Sequence, residues 1–202
     1  IYEIFIKGYT EKQWGKKCTE LPASIMKRIP IRYTFDNNYF NEKYQGIPEC
    51  GYTEFIARLL LGSNFALGTD FFDDSERLNS LARNVVYTGP IDKFYNYRFG
   101  KLDYRSVRFK ETYLPDVDNL QGNAVINYTD SHVPYTRMIE HKHFLKKQCK
   151  GTVLSYEFPR DYSENGSPCY PIPTEGNLMN YAKYKALADK EPNVIFGGRL
   201  AE

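Results

Sequence analysis

Residues 104–113 alternate between two chemistries, and that alternation constrains the fold more than any other stretch of the chain. Val107, Phe109 and Tyr113 fall on one side, interrupted by Glu111, while Ser106, Arg108, Lys110 and Thr112 fall on the other. A period of two belongs to a strand, because successive side chains leave a pleated backbone on opposite faces. Residues 124–129, 135–139 and 152–158 are further strand candidates. The short links between them favour an antiparallel sheet.

The first half has a different period. Thr53 is placed to cap a helix through Leu61, with Phe55, Ile56, Leu59 and Leu60 on one face and Gly62 as its stop. Residues 10–14 and 22–27 read as shorter helical turns. Residues 32–48 are polar and aromatic and close on Gly-Ile-Pro, which predicts a long functional loop or irregular segment. Near the end, Thr174 and Glu175 open a helix over 176–188 that leads to a buried strand at 194–196. The expected class is α+β: a helical first half followed by an antiparallel β-sheet with a late helix.

Composition sets outer limits. A chain of 202 residues holds one large domain or two small ones. Its apolar and charged fractions, 42% and 26%, are those of an ordinary soluble globular protein, whereas 18 Tyr against one Trp is unusual. A net charge of +2 makes no general case for nucleic acid. No apolar run is long enough to span a membrane and no signal peptide is evident, so no membrane partner is expected. Cys18, Cys50, Cys149 and Cys169 lack CxxC spacing and read as reduced thiols of a cytoplasmic protein. The chain opens on Ile1 and stops at Glu202 just after a strand-like segment, so it is expected to be part of something longer.

Most catalytic motifs are missing. There is no GxGxxG, HExxH, GxSxG or P-loop, and Gly197-Gly198 is only a weak echo of a dinucleotide turn. His141 and His143 form an HxH pair that would share a face on a strand, but two ligands without a third argue against a metal. No Ser or Cys sits in a nucleophile elbow. What remains is arginine and tyrosine. Arg28, Arg32, Arg105, Arg137 and Arg199 mostly lie beside apolar residues or Tyr, and residues 4–40 gather one Trp, several rings and fixed cations. Rings stack on a flat base and guanidinium forks meet phosphates, so the mixture suits a nucleotide-like ligand. The same residues also suit a Tyr-rich core with ordinary salt bridges. Both readings stand on residue chemistry alone.

Longer segments narrow the choice. GYTEKQWG at 8–15, KRIPIRYTFDNNYF at 27–40, YQGIPECGYTEF at 44–55 and YTGPIDKFYNYRFGKLDYRS at 87–106 resemble the UDP-galactopyranose mutase family. So do QGNAVINYTD at 121–130, PYTRMIEHKHF at 134–144 and NVIFGGRLAE at 193–202, and the resemblance runs the full length of the chain. It implies a flavoprotein isomerase that interconverts UDP-galactopyranose and UDP-galactofuranose, a precursor of cell-wall and surface glycans. In that family reduced FAD is the nucleophile: its N5 attacks the anomeric carbon, UDP leaves, and the open-chain adduct lets the sugar ring reclose in the other size.

Carried over by motif, the resemblance assigns Phe5 and Tyr9 to the uracil, Trp14 to the substrate site as its tryptophan and Asn127 to a polar contact near the nucleotide. Arg28, on a mobile lid, and Arg137, fixed, would meet the diphosphate as catalytic cations. Tyr39 and Tyr170 would reach phosphate oxygens, and Arg199 would lie against the flavin. It also implies a mainly helical substrate domain over 1–83 with the lid loop, and an antiparallel sheet domain over 84–202 carrying the helix near 176–188. The expected partners are UDP-galactose or UDP, with a homodimer possible and no nucleic acid. The family's glycine-rich Rossmann segment is missing from these residues. Alone they are therefore expected to lack FAD and mutase activity while keeping some affinity for UDP. Two alternatives differ in kind: a stand-alone nucleotide-sugar binding module without catalysis, and a single-stranded nucleic acid binder, which the small net charge disfavours.

Overall fold

The computed structural model describes residues 1–28, 33–35, 41–145, 149–162 and 166–201, with the side chains of 26–28 outside that description. A π-helical turn, Tyr2–Lys7, runs directly into helix α1, Gly8–Trp14. Gly15 ends α1 in the left-handed region at φ 64°, with its N–H donating to Glu11 O at 2.9 Å, a conformation that glycine adopts without strain. Short 3₁₀ turns follow at Cys18–Glu20 and Ala23–Arg28, and then helices α2, Gly51–Leu59, and α3, Ser75–Ser80.

Strand β1, Val85–Tyr87, and helix α4, Ile91–Phe94, lead into the main sheet. That sheet holds β2, Tyr104–Leu114; β3, Val125–Asn127; β4, Arg137–Glu140; β5, Thr152–Asp161; and β6, Tyr170–Pro171. The spatial order is β3-β4-β5-β2-β6 and every pairing is antiparallel. Helix α5, Glu175–Ala188, and strand β7, Val194–Phe196, close the chain. The architecture is α+β, with helices first, the antiparallel sheet after them, and a late helix.

Register carries the alternation read in β2 across the sheet. Phe109 pairs with Glu157, Glu157 with Arg137, and Arg137 with Asn127, so four strands place these residues on one rung and one face. Val107, Glu111 and Tyr113 share that face, opposite Pro159, Ser155 and Val153. It is not an apolar core face. Phe109 and Tyr113 are 52% and 62% exposed.

The buried core lies at the other end of β2. Ile91, Leu102, Tyr104, Tyr184 and Ala188 pack together, flanked by Tyr95, Phe99, Tyr181, Phe196 and Leu200. Fully buried Tyr184 keeps its hydroxyl satisfied: it accepts from Phe99 N and donates to Gly100 O, both at 2.8 Å. The buried carboxylate of Asp92 accepts from Leu102 N at 2.8 Å and from the Tyr104 hydroxyl at 3.1 Å. Burial, with Asp92 alongside, drives the Tyr104 phenol well above its ordinary pKa.

Several expectations need correction. β7 is not a buried strand. It pairs in parallel with β1, a strand that three residues of sequence do not announce, and Ile195 remains 58% exposed. α2 starts two residues before Thr53, no side chain caps it, and its apolar residues Phe55, Ile56 and Leu59 are exposed. The HxH pair lies on a 3₁₀ turn, His141–His143, and its rings take different partners, Ser155 for His141 and Glu140 with Asn119 for His143. All four cysteines are free thiols. No described helix is long and apolar enough to cross a membrane.

Candidate functional site

α1 presents two useful faces. Residues four apart in a helix lie one above the other, so Gly8 stacks with Lys12 and Tyr9 with Gln13. The far end of α1 is fastened by Arg105 on β2, whose guanidinium donates from Nε to Gln13 O at 3.0 Å and from Nη2 to Lys12 O at 3.1 Å. A cation on the last carbonyls of a helix suits the dipole there. Arg105 also pairs with Asp161, and it lies so close to Gly15 that a Cβ there would come within 2.5 Å of Nη1. The glycine is required twice over, by its dihedral and by this contact.

Tyr170 faces this end of α1. Its ring meets buried Trp14 edge-on at 5.3 Å, and Gln13 Nε2 donates to its hydroxyl at 2.5 Å. Burial first, and then the charge of Glu157, pushes the Tyr170 phenol up to about 12, so it is a neutral hydroxyl at physiological pH. The other end of the Gln13 amide is buried and has no partner among the described residues. That oxygen is an acceptor, so only a donor group can complete it.

The rung identified above supplies the charge. Arg137 Nε lies 3.1 Å from Glu157 Oε1, with the Arg137 side chain 35% exposed and that of Glu157 9%. The approach is close but poorly aligned, because Nε is buried without a hydrogen bond of good geometry. The same Glu157 oxygen accepts from the Thr136 hydroxyl at 3.1 Å. Asn127 stands opposite Arg137 and is exposed. A partly open guanidinium opposite an exposed amide can take an anion with little rearrangement.

The structure brings Trp14 and Tyr170 into ring contact at the end of α1 and, separately, sets Glu157, Arg137 and Asn127 on one rung of the sheet. Phe5 sits one turn before Tyr9 and is 62% exposed. Arg199 lies apart from the rung, on the turn after β7, and is exposed. The side chain of Arg28 and the whole of Tyr39 lie outside the described residues. Three contributors escaped the sequence reading: Gln13, Glu157 and Lys12. Gln13 could have been found by its i, i+4 spacing from Tyr9, but the roles of the other two depend on tertiary partners.

Two cavities lie elsewhere. One, of about 710 Å³, runs along residues 68–73 and 85–90; the other, of about 730 Å³, joins Gly15 and Lys16 to Pro90, Asp92, Lys101 and Tyr162. Both touch the turn after β1. Gly198 packs against Thr88 of that turn, where a Cβ would stand 3.6 Å from the Thr88 Cβ. The carboxyl ends of two parallel strands thus meet in Thr88, Gly89, Gly197 and Gly198, with Arg199 beside them. Ligands of open parallel sheets bind at such ends. Among the described residues no group of three or more His, Cys, Asp or Glu side chains could hold a metal.

A family model described as UDP-galactopyranose mutase matches residues 4–202, nearly the whole chain. The chain belongs to the UDP-galactopyranose mutase family. It is 44% identical over 202 residues to a probable UDP-galactopyranose mutase of Klebsiella pneumoniae, covering 99% of this chain and 52% of that protein. It is 41% identical over 211 residues to a dTDP-fucopyranose mutase of Escherichia coli, covering 100% of this chain and 55% of that protein. A UDP-galactopyranose mutase of Mycoplasma pneumoniae is 29% identical over 210 residues, covering 96% of this chain and 52% of its own length. The chain thus spans about half the length of the family relatives it matches.

Proposed function

We propose that these residues form the substrate side of a UDP-galactopyranose mutase, a sugar-nucleotide isomerase. In this reading Phe5 and Tyr9 take the base, Trp14 borders the sugar, and Asn127 and Tyr170 bond the nucleotide. Arg137 neutralises the diphosphate, joined by Arg28 from the lid and by Tyr39. The observation that carries the reading is the Asn127–Arg137–Glu157 rung beside α1, with the Arg137 side chain 35% exposed and Asn127 exposed opposite it. Spreading a leaving group's negative charge over fixed donors is the largest catalytic term a protein supplies in such a reaction. Residues 1–83 would be the substrate portion and 84–202 the sheet portion.

The family's cofactor fits the residues at the end of β1 and β7. The Gly197–Gly198 turn leaves the backbone open to close approach, and the exposed Arg199 supplies a cation for a phosphate-bearing group. FAD would be held there, and reduced flavin, when bound, supplies the nucleophile for the sugar carbon. Everything else falls to the protein: it binds and orients the nucleotide, and Arg137 steadies the departing diphosphate.

Val86 and Ile195, partners across β1 and β7, are 65% and 58% exposed. Such surface supports a reading in which further polypeptide covers these faces, and in which residues 1–202 alone bind nucleotide without turning it over. Adding UDP while following the fluorescence of Trp14, the sole tryptophan, and ligand NMR tests this. Saturable binding without flavin is expected. No change in either signal at millimolar UDP rejects the site, and a yellow, active sample rejects the division of labour. The dTDP-fucopyranose relative raises a second reading, with thymine in place of uracil; running UDP and dTDP in parallel decides between them.

A further inference from the structure

Lys12 points its ammonium into a ring of backbone oxygens. Its Nζ lies 2.7 Å from Tyr128 O, 2.9 Å from Asp130 O, 3.0 Å from Val133 O and 3.0 Å from Tyr135 O. An ammonium has three N–H donors, so four acceptors saturate it and one donor is shared. The four carbonyls belong to residues 128–135, the connection between β3 and β4. Four carbonyl oxygens facing one point repel each other unless a cation stands among them. Burial lowers the Lys12 pKa, with the charge of Asp130 opposing that shift.

Gly8 makes the same connection one turn earlier. A Cβ on Gly8 would come within 2.3 Å of Thr129 O and 3.1 Å of Ser131 N. One face of α1, Gly8 and Lys12, is therefore pressed onto 128–135, and that connection is bounded by Asn127 on one side and Arg137 on the other. The neighbouring face of α1 holds Tyr9 and Gln13, with Trp14 beside them. Nothing else described joins α1 to this hairpin with so many polar contacts.

We propose that Lys12 is a positioning residue: its tethered ammonium organises residues 128–135 and thereby sets the Asn127–Arg137 rung at a fixed distance from the rings of α1. This rests on reading that rung as the nucleotide site, and Lys12 itself touches no ligand in it. Cutting the side chain back should leave a carbonyl cage that accepts a free ammonium of the right size.

The test uses the 202-residue chain with Lys12→Ala and, to keep the apolar stem without the charge, Lys12→Met. Amide hydrogen exchange over residues 124–140 reads the positioning without any nucleotide, because Tyr128 N, Val133 N and Thr136 N donate within this hairpin and to β5. Both variants should exchange faster in that segment and nowhere else. n-Propylammonium should restore protection in Lys12→Ala, while tetramethylammonium, which has no N–H, should not. UDP affinity should fall about tenfold in both variants and recover with propylammonium in Lys12→Ala. Unchanged exchange in Lys12→Met overturns the proposal, as does faster exchange that propylammonium fails to reverse in Lys12→Ala. If the unaltered chain binds no UDP, the nucleotide reading falls, and the exchange arm still decides the role of Lys12.

Discussion

Glu140 on β4 and Glu157 on β5 are both buried acids, at 0% and 7% exposure, on opposite faces of one sheet. Their surroundings differ in a way that separates scaffold from site. Glu140 accepts from Leu120 N at 3.0 Å, Gln121 N at 2.8 Å and the Thr152 hydroxyl at 2.7 Å, with His143 at 3.3 Å. Burial alone would raise its pKa, yet those bonds and the His143 charge outweigh it and hold the carboxyl near 2. Every donor there finds its acceptor inside the chain. Glu157 instead leans on a guanidinium with which it is poorly aligned, and that guanidinium is partly open to solvent. A closed polar network holds a fold together, while an incomplete one leaves room for a ligand.

The largest effect should come from breaking the closed network. Glu140→Ala orphans two backbone N–H groups and a hydroxyl in the interior, at a cost of about 3 kcal/mol or more. For a chain of this size that lowers the Tm by roughly 10 °C. Calorimetry reads the loss, and the fraction still folded should bind UDP as before. The same carboxylate sets an acid limit. Its folded pKa lies below the ordinary value of 4.5, so its stabilisation is complete above that value and drains away as pH falls towards 2. Denaturant midpoints measured from pH 6 to 3 should decline in the unaltered chain and decline less in Glu140→Gln, which has no proton to take up. Parallel curves would show that another group governs the acid limb.

Breaking the open pair should do the reverse. Arg137→Ala removes charge-assisted bonds to a diphosphate that are worth roughly 1.5–3 kcal/mol, so UDP affinity should fall about 10- to 100-fold. The Tm should fall less than in Glu140→Ala, because Arg137 is itself partly solvated and Glu157 keeps the Thr136 hydroxyl when the guanidinium is gone. A large Tm change with intact UDP binding would make Arg137 a piece of scaffold like Glu140.

How far this contrast could be read from sequence depends on the range of each interaction. The long strands were legible because alternation in β2 is local, and α5 was legible because Thr174 and Glu175 open it. β1 was not, since three residues gain strand character only from β7, more than a hundred positions away. The exposed face of α2 shows the limit of amphipathic reasoning: Phe55, Ile56 and Leu59 announce a helix that buries one side, but not what covers it. Arg137 and Asn127 were candidates by residue type and motif, but their pairing needs the β3-β4 register. Lys12 reads as an ordinary solvent-facing helix lysine until four carbonyls from another element converge on it.

The smallest effect sharpens the comparison most. Glu157→Gln keeps the shape and leaves an amide oxygen for the Thr136 hydroxyl, while removing the charge that competes with a phosphate for Arg137. If Glu157 only occupies the guanidinium until nucleotide arrives, releasing it should tighten UDP by about threefold, the scale of a partly exposed ion pair. Binding that weakens by the same factor would mean that Glu157 aims Arg137 rather than competing for it. Isothermal titration of the variant at two ionic strengths distinguishes the cases. Removing a competing charge makes the affinity more salt-dependent, because the freed guanidinium then meets the diphosphate with its full charge, whereas loss of an aiming group leaves that dependence unchanged or weaker.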